Sequence, residues 1–177
     1  IANGGNGDDQ FNQTSGVGTI AGEVGNDTVT GPNAVTTWDV TSNGAGNVTS
    51  GGITRAFNTM ETTSGGTAVD TFNLTGNIIA NGGNGDDRFN LTSGTGNING
   101  DGGNDTVAAS GNFTAAGTGG GTAAGRTFAT METLSGTGAF DTLTGPAAPT
   151  VWTMTAPDVG NVAGGATIGF NSSRRFK

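Results

Sequence analysis

Residues 1–12 read IANGGNGDDQFN and residues 79–90 read IANGGNGDDRFN, one difference in twelve at an offset of 78. Agreement continues outward: TSG recurs from Thr14 at Thr92, and GNDTV ends at Val29 and again at Val107. Self-similarity at a long fixed period marks a repeat architecture, in which each unit buries its apolar face against its neighbours. A second block, FNTME at 57–61, returns as FATME at 128–132 at an offset of 71. The first copy thus carries about seven more residues (78 − 71), the size of a loop insertion. A partial third copy starts at Trp152, because the spacing from Trp38 to GNV at 46–48 equals that from Trp152 to GNV at 160–162. The array therefore divides into a first repeat at 1–78, a second at 79–149 and part of a third at 150–177. It opens and stops within repeats, so continuation of the same chain or head-to-tail self-association is expected.

A finer period lies inside each repeat. GGNGDDQFN at 4–12 and GGNGDDRFN at 82–90 fit the nonapeptide G-G-x-G-x-D-x-U-x, where U is a large apolar residue. Weaker copies begin at Gly22, Gly65, Gly100 and Gly136; Glu23, Ala68, Asp101, Thr137 and Ala139 stand where the pattern has Gly. The sixth-position acids are Asp9, Asp27, Asp70, Asp87, Asp105 and Asp141, spaced 18, 43, 17, 18 and 36. Apart from the 43, which spans the insertion, these are close to one or two multiples of 18, so two nonapeptides make one coil. Acid-free half-turns such as LTSGTGNIN at 91–99 alternate with the acidic ones, Gly96 standing in the acid's place.

Glycines permit positive φ and close stacking of turns, and the residues around U form a short strand whose middle side chain points inward. The expected core is Phe11, Ile20, Val29, Phe72, Phe89, Ile98, Val107 and Leu143, flanked by solvent-facing Thr and Asn. No stretch holds a 3.6-residue apolar period, which excludes helix. The pattern predicts an all-β parallel solenoid, of β-roll or β-helix type, with about 18 residues per coil. Roughly nine or ten coils at about 4.8 Å give an elongated rod of about 45 Å.

Composition agrees. Gly contributes 36 of 177 residues and hydrophobic residues only 32%, too little for a large globular core but enough for a thin one repeated along an array. A net charge of −8 with no basic stripe excludes nucleic-acid binding. No run of 18 apolar residues is present, so no membrane insertion is expected. With no His, Cys or Tyr and a single Lys at 177, catalytic triads and imidazole sites are impossible. Asp8, Asp9, Asp86 and Asp87 lie in Gly turns, and Glu61 and Glu132 recur once per unit, the behaviour of structural residues. The chain is expected not to be an enzyme.

A G-G-x-G-x-D turn offers carbonyls and one carboxylate, and the turn one coil later supplies more. That is the oxygen-rich environment a hard cation such as Ca2+ requires. The candidate metal ligands are Asp9, Asp27, Asp70, Asp87, Asp105 and Asp141 with the turn glycines Gly4, Gly5, Gly7, Gly82, Gly83 and Gly85. Asp9 with Asp27, and Asp70, Asp87 and Asp105 as a series, are spaced to stack. Through GGNGDDQFN and GGNGDDRFN the sequence resembles the RTX family of secreted calcium-binding exoproteins. The resemblance implies a parallel β-roll and calcium-triggered folding outside the cell.

A wider resemblance, carried by Trp38–Val40, Phe57–Glu61 and Asp70–Thr75, is to the β-strand repeats of giant bacterial surface and filamentous-haemagglutinin-like exoproteins. It implies an extracellular adhesin stalk, fibre or surface-layer element. The alternative expectation is a calcium-dependent adhesin module that grips a surface glycan, a protein or ice.

Overall fold

The computed structural model describes residues 1–14, 16–117, 119–138, 141–146, 151–156, 159–163, 167–171 and 175–176; beyond residue 150, burial is described for Gly169 and Phe170 alone. Among these residues the fold is all-β, with no helix, and the strands form two mixed sheets, one of twelve strands and one of ten. Among the described residues no helix is long and apolar enough to cross a membrane.

The chain begins with β1 (Ala2–Asn6), β2 (Gln10–Asn12), β3 (Ile20–Val24) and β4 (Thr28–Thr30), which alternate between the two sheets. The next three, β5 (Thr36–Ser42), β6 (Ala45–Ser50) and β7 (Ile53–Asn58), stay in the twelve-stranded sheet as an antiparallel meander. Alternation resumes with β8 (Thr62–Ser64), β9 (Asp70–Leu74), β10 (Ile79–Asn84), β11 (Arg88–Leu91), β12 (Ile98–Gly102) and β13 (Thr106–Ala109). A second meander, β14 (Asn112–Gly117), β15 (Gly120–Ala123) and β16 (Arg126–Ala129), lies in the ten-stranded sheet. Then come β17 (Thr133–Gly136) and β18 (Thr142–Thr144), a third meander of β19 (Val151–Ala156), β20 (Val159–Ala163) and β21 (Thr167–Asn171), and β22 (Arg175–Phe176).

Alternating strands pair in parallel at the period read from the nonapeptides: Phe11 lies beside Val29, Ala80 beside Ile98 and Arg88 beside Thr106, each 18 residues on. The offset drops to 17 where Phe72 meets Phe89. Trp38 pairs with Val48 and Trp152 with Val162, so the first and third meanders share one register. The longer first unit holds its additional residues in the turn at 31–35 and in longer meander strands, and not in a single loop. Its hairpins close with sequence-appropriate turns; Gly51 and Gly52, at φ +57° and +78°, meet the positive φ that a two-residue primed turn requires twice.

Side chains alternate along β5 and β9, so Trp38 and Val40 of β5 and Phe72 and Leu74 of β9 point inward. Buried residues of both sheets form one apolar cluster. Ile20, Val29, Phe72, Phe89, Ile98, Val107 and Leu143 are buried and Phe11 is partly so. Along the twelve-stranded sheet Trp38, Phe72 and Phe89 stack, with ring centroids 5.8 and 4.8 Å apart. Each such side chain contributes about 1.5–3 kcal/mol through burial. The side chain of Trp152 lies outside the described residues. On the outer surface Asn90 donates to Asn73 (2.8 Å), and Asn73 to Asp39 (2.7 Å), a polar ladder in step with the aromatic one.

Each sequence unit has an odd number of sheet changes. Between β1 and β10 the chain crosses seven times, because the meander holds three consecutive strands in one sheet. The twin strands β1 and β10 therefore lie in opposite sheets, and everything each unit carries changes side with them.

Candidate functional site

The sixth-position acids occupy the turns where the chain passes between sheets, and they gather into two columns. On turns leaving the twelve-stranded sheet, the Asp9 amide donates to Asp27 Oδ1 (2.8 Å) and the Asp27 amide to Glu61 Oε2 (2.7 Å). On turns entering it, the Thr36 amide donates to Asp70 Oδ1 (2.8 Å), the Asp70 amide to Asp87 Oδ1 (2.7 Å), and the Asp87 amide to Asp105 Oδ1 (2.8 Å). The Asp105 amide closes the series on Glu132 Oε2 (2.6 Å). Asp141 stands apart, accepting from the Gly111 and Gly138 amides. The structure thus groups Asp9 with Asp27 and Asp70 with Asp87 and Asp105. The 43-residue gap between Asp27 and Asp70 reflects the change of side as well as the longer first unit.

These carboxylates face inward. Asp27, Asp70, Asp87, Asp105 and Asp141 are buried, and Asp9 is half-buried. An ionised oxygen buried without a donor is costly, and here one oxygen of each acid after Asp9 caps a backbone amide of an earlier turn. The other is treated unevenly. Asp70 Oδ2 accepts from Gly66 (2.9 Å), whereas Oδ2 of Asp9, Asp27, Asp87 and Asp105 is buried with no partner. Burial pushes the Asp87 carboxyl up to about 7, against the Asp70 amide and reinforced by the charges of Asp70, Asp105 and Asp86. Asp105 is raised to about 6, again mainly by burial, with Glu132 and Asp86 adding to it. Asp70 is also raised by burial, opposed by its bonds from Gly66 and Thr36.

The first glycine of the nonapeptide makes room for this carboxylate. A Cβ on Gly4 would sit 2.5 Å from Asp9 Oδ2 and 2.7 Å from the Gly22 carbonyl. Gly22, Gly65, Gly82, Gly100 and Gly136 likewise lie against Oδ2 of Asp27, Asp70, Asp87, Asp105 and Asp141, closer than any real Cβ is found. The leading glycine and the sixth-position aspartate of the motif are one packing unit, which is why both survive in all six copies while the intervening glycines vary. Gly5, Gly7, Gly83 and Gly85 have positive φ. In the weaker copies Glu23 and Asp101 adopt that conformation too, each amide held by a threonine hydroxyl, Thr59 and Thr130, at 2.7 Å. Ala139 lies outside the described residues.

The repeated glutamates are structural, as their recurrence predicts, whereas the two arginines escaped the motif analysis. Glu61 and Glu132 terminate the columns, and Arg55 and Arg126 clamp the acid-free turns. The buried Arg126 guanidinium donates to the carbonyls of Gly76, Ile78, Ser93 and Thr95, bridging two stacked turns, and burial lowers its pKa. Arg55 donates to the Gly16 carbonyl (2.6 Å) and to Gln13 Oε1 (3.3 Å). Both arginines stand two residues before the phenylalanine of the FxTME block, the one signal that could have found them.

A calcium ion takes six to eight oxygens. Of the sixth-position acids after Asp9, none leaves more than one carboxylate oxygen unpartnered, and no group of three acidic side chains converges among the described residues. No protein-family model matches the chain, and no curated protein matches it.

Proposed function

We propose that the chain is a non-catalytic structural element: a β-solenoid with about 18 residues per coil, forming part of a stalk, fibre or surface layer outside a bacterial cell. The observation that carries this reading is that the sixth-position acids after Asp9 and the two arginines bond to the backbone of neighbouring turns. The acids cap backbone amides, the arginines clamp turns, and both sheets contain strands paired in parallel at a step of 17 or 18 residues, with antiparallel meanders between them. Such a stack elongates without a larger core. Its open sheet edges suit end-to-end association, either within one long polypeptide or between copies. The extracellular setting rests on the resemblance of the nonapeptides and of the tryptophan-bearing segments to secreted repeat proteins.

Electron microscopy and fibre diffraction of the concentrated protein test the reading. Filaments of constant width with a meridional spacing of about 4.8 Å are expected. A strictly monomeric chain showing saturable binding to a glycan, a protein or ice would replace the structural role with that of an adhesin module.

Calcium is the second reading, favoured by the row of unpartnered buried Oδ2 atoms on Asp9, Asp27, Asp87 and Asp105. These are hard anionic donors spaced along the two columns, and turn carbonyls would complete a shell around any ion they held. Circular dichroism with calcium and then chelator decides it. A thermal transition raised by calcium and lowered by chelator supports the ion, whereas a spectrum and transition indifferent to both remove it.

A further inference from the structure

The side on which the chain leaves the twelve-stranded sheet carries two kinds of turn. The acidic turns end at Glu61, and the acid-free turns at 75–78 and 92–97 follow. Between them stands the tip of the β5–β6 hairpin. The Met60 amide donates to the Gly44 carbonyl (2.9 Å), and the Gly44 amide to the Asn77 carbonyl (3.0 Å). A groove of about 520 Å3 runs over this tip, with Glu23 and Glu61 on one bank and Asn43, Asn77, Thr95 and Ile79 on the other. Every strand that flanks it has neighbours on both sides.

The polar groups of this groove keep unused valences. A backbone N–H donates only to an acceptor, so the bonds from the Asn77 amide to Asn43 Oδ1 (3.0 Å) and from the Thr95 amide to Asn77 Oδ1 (2.7 Å) orient both side chains. Their Nδ2 groups are free donors among the described residues. Opposite, Glu61 commits Oε2 to the Asp27 amide, and the Glu23 carboxylate has neither a hydrogen bond nor an ion pair there. The twin turn shows the closed alternative. In it Asn99 donates to the Asp101 carboxylate, and the first unit has Ala21 in place of Asn99. Ile79 is the apolar member. It stands in an outward rank between Thr62 and Asn97, in line with Gln10 and Thr28, and is 40% exposed. Behind the amide bank the buried Arg126 guanidinium holds the Ile78 and Thr95 carbonyls. The groove is therefore polarised, with carboxylates on one bank and N–H donors backed by a cation on the other.

We propose that this groove binds a short saccharide carrying a protonated amine, the chemistry of a glucosamine oligomer. The ammonium meets the Glu23 and Glu61 carboxylates, the ring hydroxyls accept from Asn43 and Asn77 Nδ2, and the C–H face of a pyranose lies on Ile79. Ammonium on carboxylate is a charge-assisted bond, about twice as strong as a neutral one. Hydroxyls that both donate and accept suit banks of opposite character, which a plain alkylamine does not. The volume falls within the roughly 300–1,000 Å3 of small-ligand sites, where a few polar groups fix orientation. The inference goes beyond the structural role and needs neither a filament nor calcium.

Calorimetric titration of the intact chain with the glucosamine trimer, in chelator at about pH 6, tests it, with amide chemical shifts locating the contact. Saturable one-to-one binding is expected, with shifts at residues 43–44, 77–79 and 95–96. Glu23→Gln removes a carboxylate that no contact in the fold uses and should weaken binding about tenfold or more; Ile79→Thr should weaken it as well. Asp86→Asn removes equal charge from the opposite side, keeps an acceptor for the Asn104 amide, and should bind as the parent does. No binding, equal binding by Glu23→Gln, an equal loss in Asp86→Asn, equal affinity for the N-acetylated trimer or for spermidine, or shifts elsewhere would each overturn the proposal. Filaments from a chain that ignores the trimer would remove this inference and keep the fibre. Capture of the trimer by a chain that never assembles would do the reverse.

Discussion

Glycine and aspartate five positions apart act as a single unit, and substitutions at either end report on it. A Cβ on Gly82 would press on both Asp87 Oδ2 and, at 2.7 Å, the Gly100 carbonyl. Gly82→Ala is expected to destabilise the fold by about 1–3 kcal/mol, the usual cost of overpacking. Gly120→Ala, whose Cβ would meet nothing nearer than 3.4 Å, should be close to neutral; urea unfolding of the two variants checks the contrast. At the other end of the unit, Asp87→Ala leaves the buried Asp70 amide without an acceptor, at about 1–3 kcal/mol. Asp87→Asn keeps that acceptor and removes a buried charge, so at pH 8 it should match or exceed the parent in stability. Equal losses for the Ala and Asn variants would show that the capping bond is not what Asp87 contributes.

At the scale of elements, the acid-free turns are held by cations and the acidic turns by their own carboxylates. Arg126 links the turn at 76–78 to the turn at 93–95 through four carbonyls. Removing the guanidinium strips those acceptors and leaves a void, so Arg126→Ala should cost about 2–4 kcal/mol. Arg55→Ala, with two acceptors and a half-buried side chain, should cost less than about 1 kcal/mol. Chemical denaturation distinguishes the two; equal losses would mean that the second turn adds nothing. Strand identity at this scale was legible. The inward position of Phe72, Phe89, Ile98 and Val107 follows from the nonapeptide, because a two-residue alternation and an 18-residue step are local properties. The meanders were not legible as such. Strands like Ile53–Asn58 carry no motif, and their antiparallel return depends on the turn at Gly51–Gly52 and on which neighbour's edge is free.

For the whole molecule, the buried column makes stability depend on pH in an uncommon direction. Asp87 and Asp105 titrate in the folded state at about 7 and about 6, against 3.8 for the unconstrained group. Between about 4 and 7 the folded chain therefore binds more protons than the unfolded one, and stability falls as pH rises through that window. The stabilisation is fully present below about pH 4 and is lost above 7, on the order of a few kcal/mol. Thermal unfolding should show a higher midpoint at pH 5 than at pH 8, with the difference reduced in Asp87→Asn. A midpoint rising with pH would mean that the carboxylates are held ionised, by donors or by a cation.

The sequence by itself determined the local pattern: its 18-residue step between parallel strands, the residues that turn inward, the glycines of the turns, and the grouping of Asp9 with Asp27 and of Asp70 with Asp87 and Asp105. All of these depend on spacing within one or two strands. Tertiary structure alone decided which sheet each unit enters and what the acids touch. The side changes because the chain visits the two sheets seven times between β1 and β9, an odd number with the meander counted as one visit, and that parity is a property of the whole path. Motif spacing cannot distinguish an aspartate facing solvent from one facing an earlier turn's backbone, since both sit at the same step. Only the stacked amides, each 17 or 18 residues earlier, place these carboxylates inside.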